Sequence, residues 1–151
     1  MSVKVVSTNR KARHDYYLTD TYEAGIVLQG SEIKSIRAGQ ISIKEAYIQI
    51  EDQEAWLINA HIAPYEQASY LGHEPRRKRK LLLHRREIDR LWDAIRRKGL
   101  TIVPTRVYLK NGRAKIEIAV GRGKKQYDKR HDIAKRDAQR EMDRSLRRKD
   151  Y

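Results

Sequence analysis

Residues 100–120 read LTIVPTRVYLKNGRAKIEIAV, two largely apolar runs joined by Asn111 and Gly112. An Asn-Gly pair between such runs is the strongest short-range signal for a β-hairpin with a two-residue turn. Pro104 lies inside the first run and cannot donate a hydrogen bond to a neighbouring strand, so it indicates a sheet edge or a bulge. The stretch predicts a long antiparallel hairpin at the end of the globular part of the chain.

Shorter alternating runs upstream predict further strands. Residues 22–29 alternate like the two faces of a half-buried strand, and LTDT at 18–21 predicts a turn before it. Residues 41–50 and 56–62 flank the polar EDQE at 51–54 and predict a second hairpin. The predicted core residues of that hairpin are Ile48, Ile50, Trp56 and Ile58.

Two stretches carry helix signals. In GSEIKSIRAG, residues 30–39, Ser31 can cap the free amides and Glu32 suits a first turn. In HRREIDRLWDAIRRKG, residues 84–99, apolar residues recur at helical spacing, acids occur early and bases late, and Gly99 ends the pattern. We therefore expect a short helix at the first stretch and a longer one at the second.

These elements predict one mainly β domain over residues 1–120, an OB-like antiparallel β-barrel with attached helices. Closing the barrel removes exposed strand edges, and this class of barrel offers one face to a nucleic-acid strand. Residues 63–80 end in RRKRK and are too charged to be buried, so we expect them to be mobile without a ligand.

The composition predicts a polyanionic partner. The 151 residues include 34 Lys or Arg against 20 Asp or Glu, a formal charge of +14, which favours nucleic acid. We find neither a long apolar run nor an apolar leader in residues 1–13, so no membrane partner is predicted and a cytoplasmic location is expected. The chain has no Cys, which excludes disulfides and thiolate-bound zinc. The His residues, 14, 61, 73, 84 and 131, show no metal-ligand spacing, so no metal, cofactor or catalytic residue is predicted.

Residues 121–151 form a basic C-terminal tail with twelve Lys or Arg and six Asp or Glu, +6 of the total. Ala134, Ala138, Met142 and Leu146 recur every four residues, but this stripe is too small to offset the entropy of ordering the tail. We expect disorder in the free protein and a helix on RNA. A functionless solubilising tail is an equally open interpretation at this point.

Three motifs together resemble one family. They are NRKARHDYYLTDTYEAGIVLQGSEIKSIRAGQ at 9–40, RKRKLLLHRREIDRL at 77–91 and GKKQYDKR at 123–130. In order and spacing they are similar to the small protein B family, the SsrA-binding proteins of bacterial trans-translation. The resemblance implies a non-enzymatic adaptor that binds the tRNA-like domain of tmRNA (SsrA RNA) and accompanies alanyl-tmRNA, with elongation factor Tu and GTP, to stalled ribosomes.

The same resemblance implies two sets of binding residues. The implied tmRNA-binding residues are Asn9, Arg13, Glu32, Lys34, Arg37, Lys78, Arg79 and Lys80. The residues implied near small-subunit rRNA at the decoding centre are Gly123, Lys124, Lys125, Tyr127, Asp128, Lys129 and Arg130. Helix capping is the alternative role for Glu32. For Tyr127, where some members have His, we expect base stacking.

The resemblance further implies that the tail lies in the vacant mRNA channel as a helix over residues 131–148. Ala138 stands where a Trp can occur in relatives, so we expect a mainly electrostatic grip that falls steeply with salt. Two other functions stay open from the residues: a metal-dependent nuclease of the staphylococcal type, also a basic OB barrel, and a permanent rRNA-binding ribosomal or assembly protein.

Overall fold

A computed structural model of the chain describes residues 3–64, 73–124 and 134–142. Its elements in chain order are β1 (Val3–Thr8), α1 (Arg10–Asp15), β2 (Tyr16–Ile26), α2 (Gly30–Arg37), β3 (Ile41–Ser42), β4 (Tyr47–Glu51), β5 (Glu54–Ile58), β6 (His61–Ile62), β7 (Arg79–Leu82), α3 (Arg85–Lys98), β8 (Thr101–Lys110) and β9 (Arg113–Gly123). Residues 134–142 form a further helix, called here the tail helix.

The strands close into a barrel. The seven-stranded sheet has the order β1-β8-β4-β5-β7-β2-β9, and β8 also pairs with β9. The strands β8, β4, β5, β7, β2 and β9 therefore form a ring in which every pairing is antiparallel, with β1 added along β8. This confirms the predicted barrel with attached helices.

The β8–β9 hairpin has the most paired positions of any strand pair in the ring. Its turn residues Asn111 and Gly112 both have positive φ, 53° and 79°, the conformation that a tight two-residue hairpin turn requires. The register shifts between Pro104 and Arg106, which is the bulge that the proline indicated. Inward-facing residues of both strands, including Val107 and Ile116, are fully buried. The hairpin prediction is confirmed in its turn, its bulge and its core face.

The turn predicted at residues 18–21 is wrong. Strand β2 passes straight through this stretch, with only a register shift between Leu18 and Thr21 against β9. The polar side chains of Thr19, Asp20 and Thr21 remain exposed. Pairing with a long neighbouring strand supplies the backbone hydrogen bonds, and this tertiary context outweighs the local turn preference.

The predicted core of the second hairpin is half right. Ile48 and Ile50 of β4 are buried, but Trp56 of β5 is only half-buried, as is Ile58. The buried residues of β5 are Ala55 and Leu57, because the register pairs them with Ile50 and Ile48. In addition, residues 41–50 hold two strands, β3 and β4, instead of one.

Both predicted helices are present. Helix α3 begins after a capping box between His84 and Glu87 and ends at Gly99, which has φ 62°. Helix α2 begins at Gly30 with Gln29 as its N-cap, so the predicted cap at Ser31 lies two residues too late. Helix α1 and strand β1 were not predicted.

The barrel extends beyond the boundary predicted at residue 120. Strand β9 continues to Gly123, which pairs with Tyr16 of β2. The Lys124 amide then donates to the Asp15 carbonyl at 2.8 Å. Every residue of the tail helix is exposed, which agrees with the small apolar stripe seen in the sequence. Disorder of the tail in the free protein stays a prediction.

Candidate RNA-binding surfaces

Glu32, in the first turn of α2, is fully buried. Its Oε1 accepts hydrogen bonds from Arg77 Nη2 at 2.5 Å and from the Gln29 amide at 2.8 Å, and its Oε2 accepts one from Arg79 Nε at 2.5 Å. Burial opposes ionisation, but these donors outweigh it, so the pKa of Glu32 lies below its usual value. Glu32 has no surface for RNA here; it caps α2 and pairs with two arginines.

Arg79 is the second implied RNA contact that the fold buries completely. Besides Glu32, its guanidinium donates to the carbonyls of Ala60 at 2.9 Å and Pro75 at 3.0 Å. These bonds hold the segment before β7 against α2. They argue against the predicted mobility for the described residues 73–78, while residues 65–72 lie outside the described part of the chain.

His73 strengthens the same attachment. Its ring is 6% exposed, with Nε2 at 2.9 Å from the Ile62 carbonyl and Nδ1 at 2.8 Å from Ser31 Oγ. A carbonyl can only accept, so Nε2 donates and Nδ1 accepts the Ser31 hydroxyl proton. The Ser31 side chain therefore bonds to His73 of the loop, and Gln29 is the N-cap of α2.

Asn9 is the third implied RNA contact that is buried, with 1% of its surface exposed. Its Oδ1 accepts from the Ala12 amide at 3.1 Å, which makes it the N-cap of α1. Its Nδ2 donates to the carbonyls of Pro104 at 2.8 Å and Ile43 at 3.1 Å. The hydrogen-bonding capacity of Asn9 is used within the protein, so a direct RNA contact is not available to it in this structure.

The remaining implied tmRNA-binding residues are accessible. Lys34 and Arg37 are exposed on α2, and Arg37 Nη2 donates to the Gly112 carbonyl at 3.3 Å beside the β8–β9 turn. Lys80 of β7 and Lys78, which directly precedes β7, flank the buried Arg79 and so point to the outer side of the barrel. The exposed basic residues thus lie on α1, on α2 and around β7, and the bonds from Arg77 and Arg79 to Glu32 join the last two regions.

The lysines on the outer side of β7 lie close to the side chain of Trp56 and to two glutamates. Lys78 Nζ lies 4.5 Å from the ring centroid of Trp56. Lys80 Nζ lies 3.1 Å from Glu54 Oε1, and Lys78 Nζ lies 3.5 Å from Glu51 Oε2. These ion pairs are about half exposed, so they contribute little to stability and leave the lysines able to contact phosphates.

A cleft of about 590 Å³ next to Lys80 contains residues that the sequence interpretation missed. Glu23 of β2 and Lys115 of β9 line it, facing the start of α3. Glu23 accepts a hydrogen bond from the Tyr108 hydroxyl, which holds the pKa of the Glu23 carboxyl below its usual value. The sequence does carry a signal for Glu23 and Lys115: the period-two alternation of β2 and β9 directs these side chains outward.

A second cleft, of about 430 Å³, lies between α1 and the tail helix. We call it the junction cleft; its lining residues are Arg10, Arg13, His14, Lys124, Lys135 and Arg136. Lys124 Nζ donates to the Arg13 carbonyl at 3.3 Å. The structure therefore brings together Arg13, implied as a tmRNA contact, and Lys124, implied as a ribosome contact.

The other implied decoding-centre residues lie outside the described residues, apart from Gly123, which is exposed at the end of β9. They are Lys125, Tyr127, Asp128, Lys129 and Arg130. Within residues 3–64, 73–124 and 134–142, no cluster of three or more His, Asp or Glu could hold a metal ion. In the same part of the chain, no helix has the length and apolar character needed to cross a membrane.

A closed antiparallel barrel with basic residues exposed at several sites, in a chain of charge +14, defines a small RNA-binding barrel protein. The family model described as "SmpB protein" matches residues 6–148. The chain belongs to the SmpB protein family.

Relatives and a solved structure agree with this assignment. The SsrA-binding protein of Roseiflexus castenholzii is 60% identical over 145 residues, 95% of this chain and 92% of the relative. The SsrA-binding protein of Desulforudis audaxviator is 56% identical over 144 residues, 95% of this chain and 94% of the relative. A chain of the structure described as "tmRNA-SmpB: a journey to the center of the bacterial ribosome" is similar with a TM-score of 0.68 and 49% identity, covering 82% of this chain and 86% of that one.

Proposed function

We propose that this protein is a non-enzymatic RNA-binding adaptor of bacterial trans-translation, acting in the cytoplasm. It binds the tRNA-like domain of tmRNA and helps deliver alanyl-tmRNA, with elongation factor Tu and GTP, to ribosomes stalled on messages without a usable stop codon. The observation that carries the proposal is the family match over residues 6–148, which spans both the barrel and most of the tail. The net charge of +14 is in keeping with an RNA ligand.

The barrel is proposed to hold tmRNA through its exposed basic residues. Accessible residues suited to phosphate contacts are Lys34 and Arg37 on α2, Lys78 just before β7 and Lys80 on β7. The cleft beside Lys80 extends this surface to Lys115 of β9. The buried residues Asn9, Glu32 and Arg79 act indirectly, because they fix α1, α2 and β7, which carry the exposed residues.

The tail is proposed to sense an empty mRNA channel. The helix that includes residues 134–142 lies in the channel. The residues that contact rRNA near the decoding centre are Gly123, Lys124, Lys125, Tyr127, Asp128, Lys129 and Arg130. The exposure of every residue of the tail helix supports a segment that is available for a partner. With few apolar side chains, its grip is mainly electrostatic and weakens steeply with salt.

A truncation tests whether the barrel binds tmRNA and the tail is needed only on the ribosome. The chain should end after Lys124, because a cut at Val120 would remove the β9 partners of Tyr16, Tyr17 and Leu18. Full-length and truncated proteins are compared for binding of the tRNA-like domain by gel shift and for tagging of a peptide stalled on a truncated message. We expect the truncation to bind the RNA nearly as well and to lose tagging.

Two variants of the full chain serve as controls. Lys34→Ala with Arg37→Ala should weaken both binding and tagging, whereas Arg86→Ala with Arg90→Ala, the same charge change on exposed positions of α3, should affect both much less. If the truncation loses binding and tagging together while remaining folded, the tail is only part of the tmRNA surface and the channel-sensing role is wrong. If the wild-type protein does not bind the tRNA-like domain, the proposed function fails.

A further inference from the structure

Trp92 of α3 is exposed, although its spacing in the sequence groups it with the apolar residues of the helix. The side chain is 44% exposed, whereas Leu91 and Ala94 of the same helix are buried. The Arg96 guanidinium lies 5.0 Å from the centroid of the Trp92 ring. The outer side of α3 therefore presents an indole beside a cation, and neither the barrel core nor the proposed tmRNA contacts use it.

Trp92 lines a pocket between α3 and the turn that joins β4 to β5. We call it the Trp92 pocket; its volume of about 370 Å³ lies within the range of small-ligand sites, ~300–1,000 Å³. Ile50 and Ile88 also line it, so part of its wall is apolar. Gln53 and Ile88 line both this pocket and the cleft beside Lys80, so the two are neighbours.

Contacts between α3 and the β4–β5 turn fix the walls of the Trp92 pocket. Arg85 Nη1 donates to Gln53 Oε1 at 2.7 Å, and Arg85 Nε lies 3.2 Å from Asp89 Oδ1. Asp52 and Gln53 both have positive φ, 50° and 64°. A tight two-residue turn requires this conformation and favours Gly at its second position, so Gln53 occupies it under strain. Local strain of this kind is typical of functional sites, and here it places a side chain that bonds to α3.

Asp52 supplies a polar group at the rim that a ligand can use. It is exposed, and its carboxylate has no hydrogen bond or ion pair with the part of the chain that the structure describes. A carboxylate accepts hydrogen bonds through two oxygens. Guanine carries two adjacent donors, N1–H and the N2 amino group, on its Watson–Crick edge, whereas adenine and uracil mix donors and acceptors there. Asp52 therefore suits guanine.

We propose that the Trp92 pocket binds one unstacked guanine nucleotide of an RNA. The base stacks on Trp92, its Watson–Crick edge bonds to Asp52, and Arg96 contacts a neighbouring phosphate. Stacking on an aromatic side chain is a common way to hold single-stranded RNA, and an arginine over the ring adds a cation–π contribution. The net charge of +14 favours a polyanion as the ligand. This site lies outside the residues assigned above to the tRNA-like domain and to the channel, so it goes beyond the proposed function.

Tryptophan fluorescence tests the proposal. The chain has 2 Trp, so Trp56→Phe makes Trp92 the single reporter. This full-length variant is titrated with the RNA pentanucleotides UUGUU, UUAUU and UUUUU. We expect UUGUU to quench Trp92 and to bind at least about fivefold more tightly than the other two, the lower end of the discrimination that a paired hydrogen-bond contact gives to a base.

Substitutions in the otherwise wild-type chain separate stacking from recognition of the base edge, with binding followed by the anisotropy of a labelled pentanucleotide. Trp92→Ala should weaken binding of UUGUU about 5–100-fold through lost stacking, whereas Trp92→Phe should retain most of it. Tyr47→Ala removes another aromatic side chain, 43% exposed, and is the matched control that should leave binding unchanged.

Asp52→Asn tests the base edge without endangering the fold, because Asn tolerates positive φ in a turn. We expect the three affinities to come within about twofold of one another, since an amide cannot accept from both guanine donors. If Asp52 acted only through its charge, its removal would tighten binding of all three pentanucleotides equally, and this result would contradict the proposed contact.

The source of the nucleotide is identified with Trp92→Ala, by comparing its binding to full-length tmRNA and to purified ribosomes with that of the wild type. We expect a loss of affinity for one of the two. The proposal is overturned if UUGUU quenches Trp92 no more than UUUUU, if Trp92→Ala binds UUGUU as tightly as the wild type, or if it binds both tmRNA and ribosomes normally. Loss of tagging with normal RNA binding would assign the pocket to a protein partner and would also overturn it. In each of these cases, normal binding of the tRNA-like domain by the wild type leaves the proposed function standing.

Discussion

Replacing Glu32 by Gln tests whether this residue contacts RNA or supports the fold. The substitution keeps the shape of the side chain and removes its charge. The new amide oxygen can still accept from the Gln29 amide, but the amide nitrogen must then face Arg79 Nε, so that a donor opposes a donor. Arg79 is fully buried, so its positive charge loses its partner away from water.

The expected loss of stability is about 3–5 kcal/mol, the usual result of removing one partner of a buried ion pair. Arg79 accounts for most of it, because Arg77, at 31% exposure, is screened by water once its partner is gone. For a chain of 151 residues this corresponds to a decrease in Tm of about 6–20 °C. Urea unfolding followed by tryptophan fluorescence gives the free energy of unfolding directly.

The matched control is Glu51→Gln, since Glu51 pairs with Lys78 at 3.5 Å with both side chains about half exposed. Its loss should be at most about 1 kcal/mol. Binding of the tRNA-like domain is then measured at a temperature at which both variants are folded, and we expect near wild-type affinity for each. If Glu32→Gln unfolds at the wild-type urea concentration but binds RNA weakly, Glu32 is an RNA ligand and the structural argument is refuted.

Three further predictions follow from individual contacts. Asn9→Ala should lower the free energy of unfolding by about 2–4 kcal/mol, because it removes the α1 cap and leaves two buried carbonyls without a donor; an unchanged urea midpoint would contradict this. In thermal melts, Gly99→Ala should lower the free energy of unfolding by about 1 kcal/mol, since φ is 62° at Gly99. Gly30→Ala should leave stability unchanged or increase it, because Gly30 has no positive φ and an added Cβ would meet open space. Folding lowers the pKa of Glu32 from about 4.5, so the ionised carboxylate stabilises the fold fully above pH 4.5. That stabilisation is lost as the pH falls from 4.5 through the lower pKa of the folded state. Between pH 6 and pH 3 the free energy of unfolding should therefore decrease less for Glu32→Gln than for the wild type.

Several parts of the protein are determined by local sequence. The β8–β9 hairpin follows from Asn111 and Gly112, which adopt positive φ with little strain, and from apolar residues at alternate positions around them. Helix α3 follows from its capping box and from Gly99, since both act within a few residues of the helix ends. The basic charge and the three family motifs, which need no coordinates, predicted the SmpB protein family that the comparisons confirm.

Other parts were decided only when distant segments packed together. The inward face of β5 depends on its register with β4, so Trp56 and Ile58 were assigned to the wrong side. Three polar residues that the motifs implied as RNA contacts are buried against partners far along the chain: Asn9 bonds to Pro104, and Glu32 and Arg79 bond to each other. A charged or amide side chain looks the same in a sequence whether water, RNA or the protein's own donors satisfy it. Only the tertiary structure, by removing water and supplying those donors, distinguishes a residue that supports a binding surface from one that lies on it.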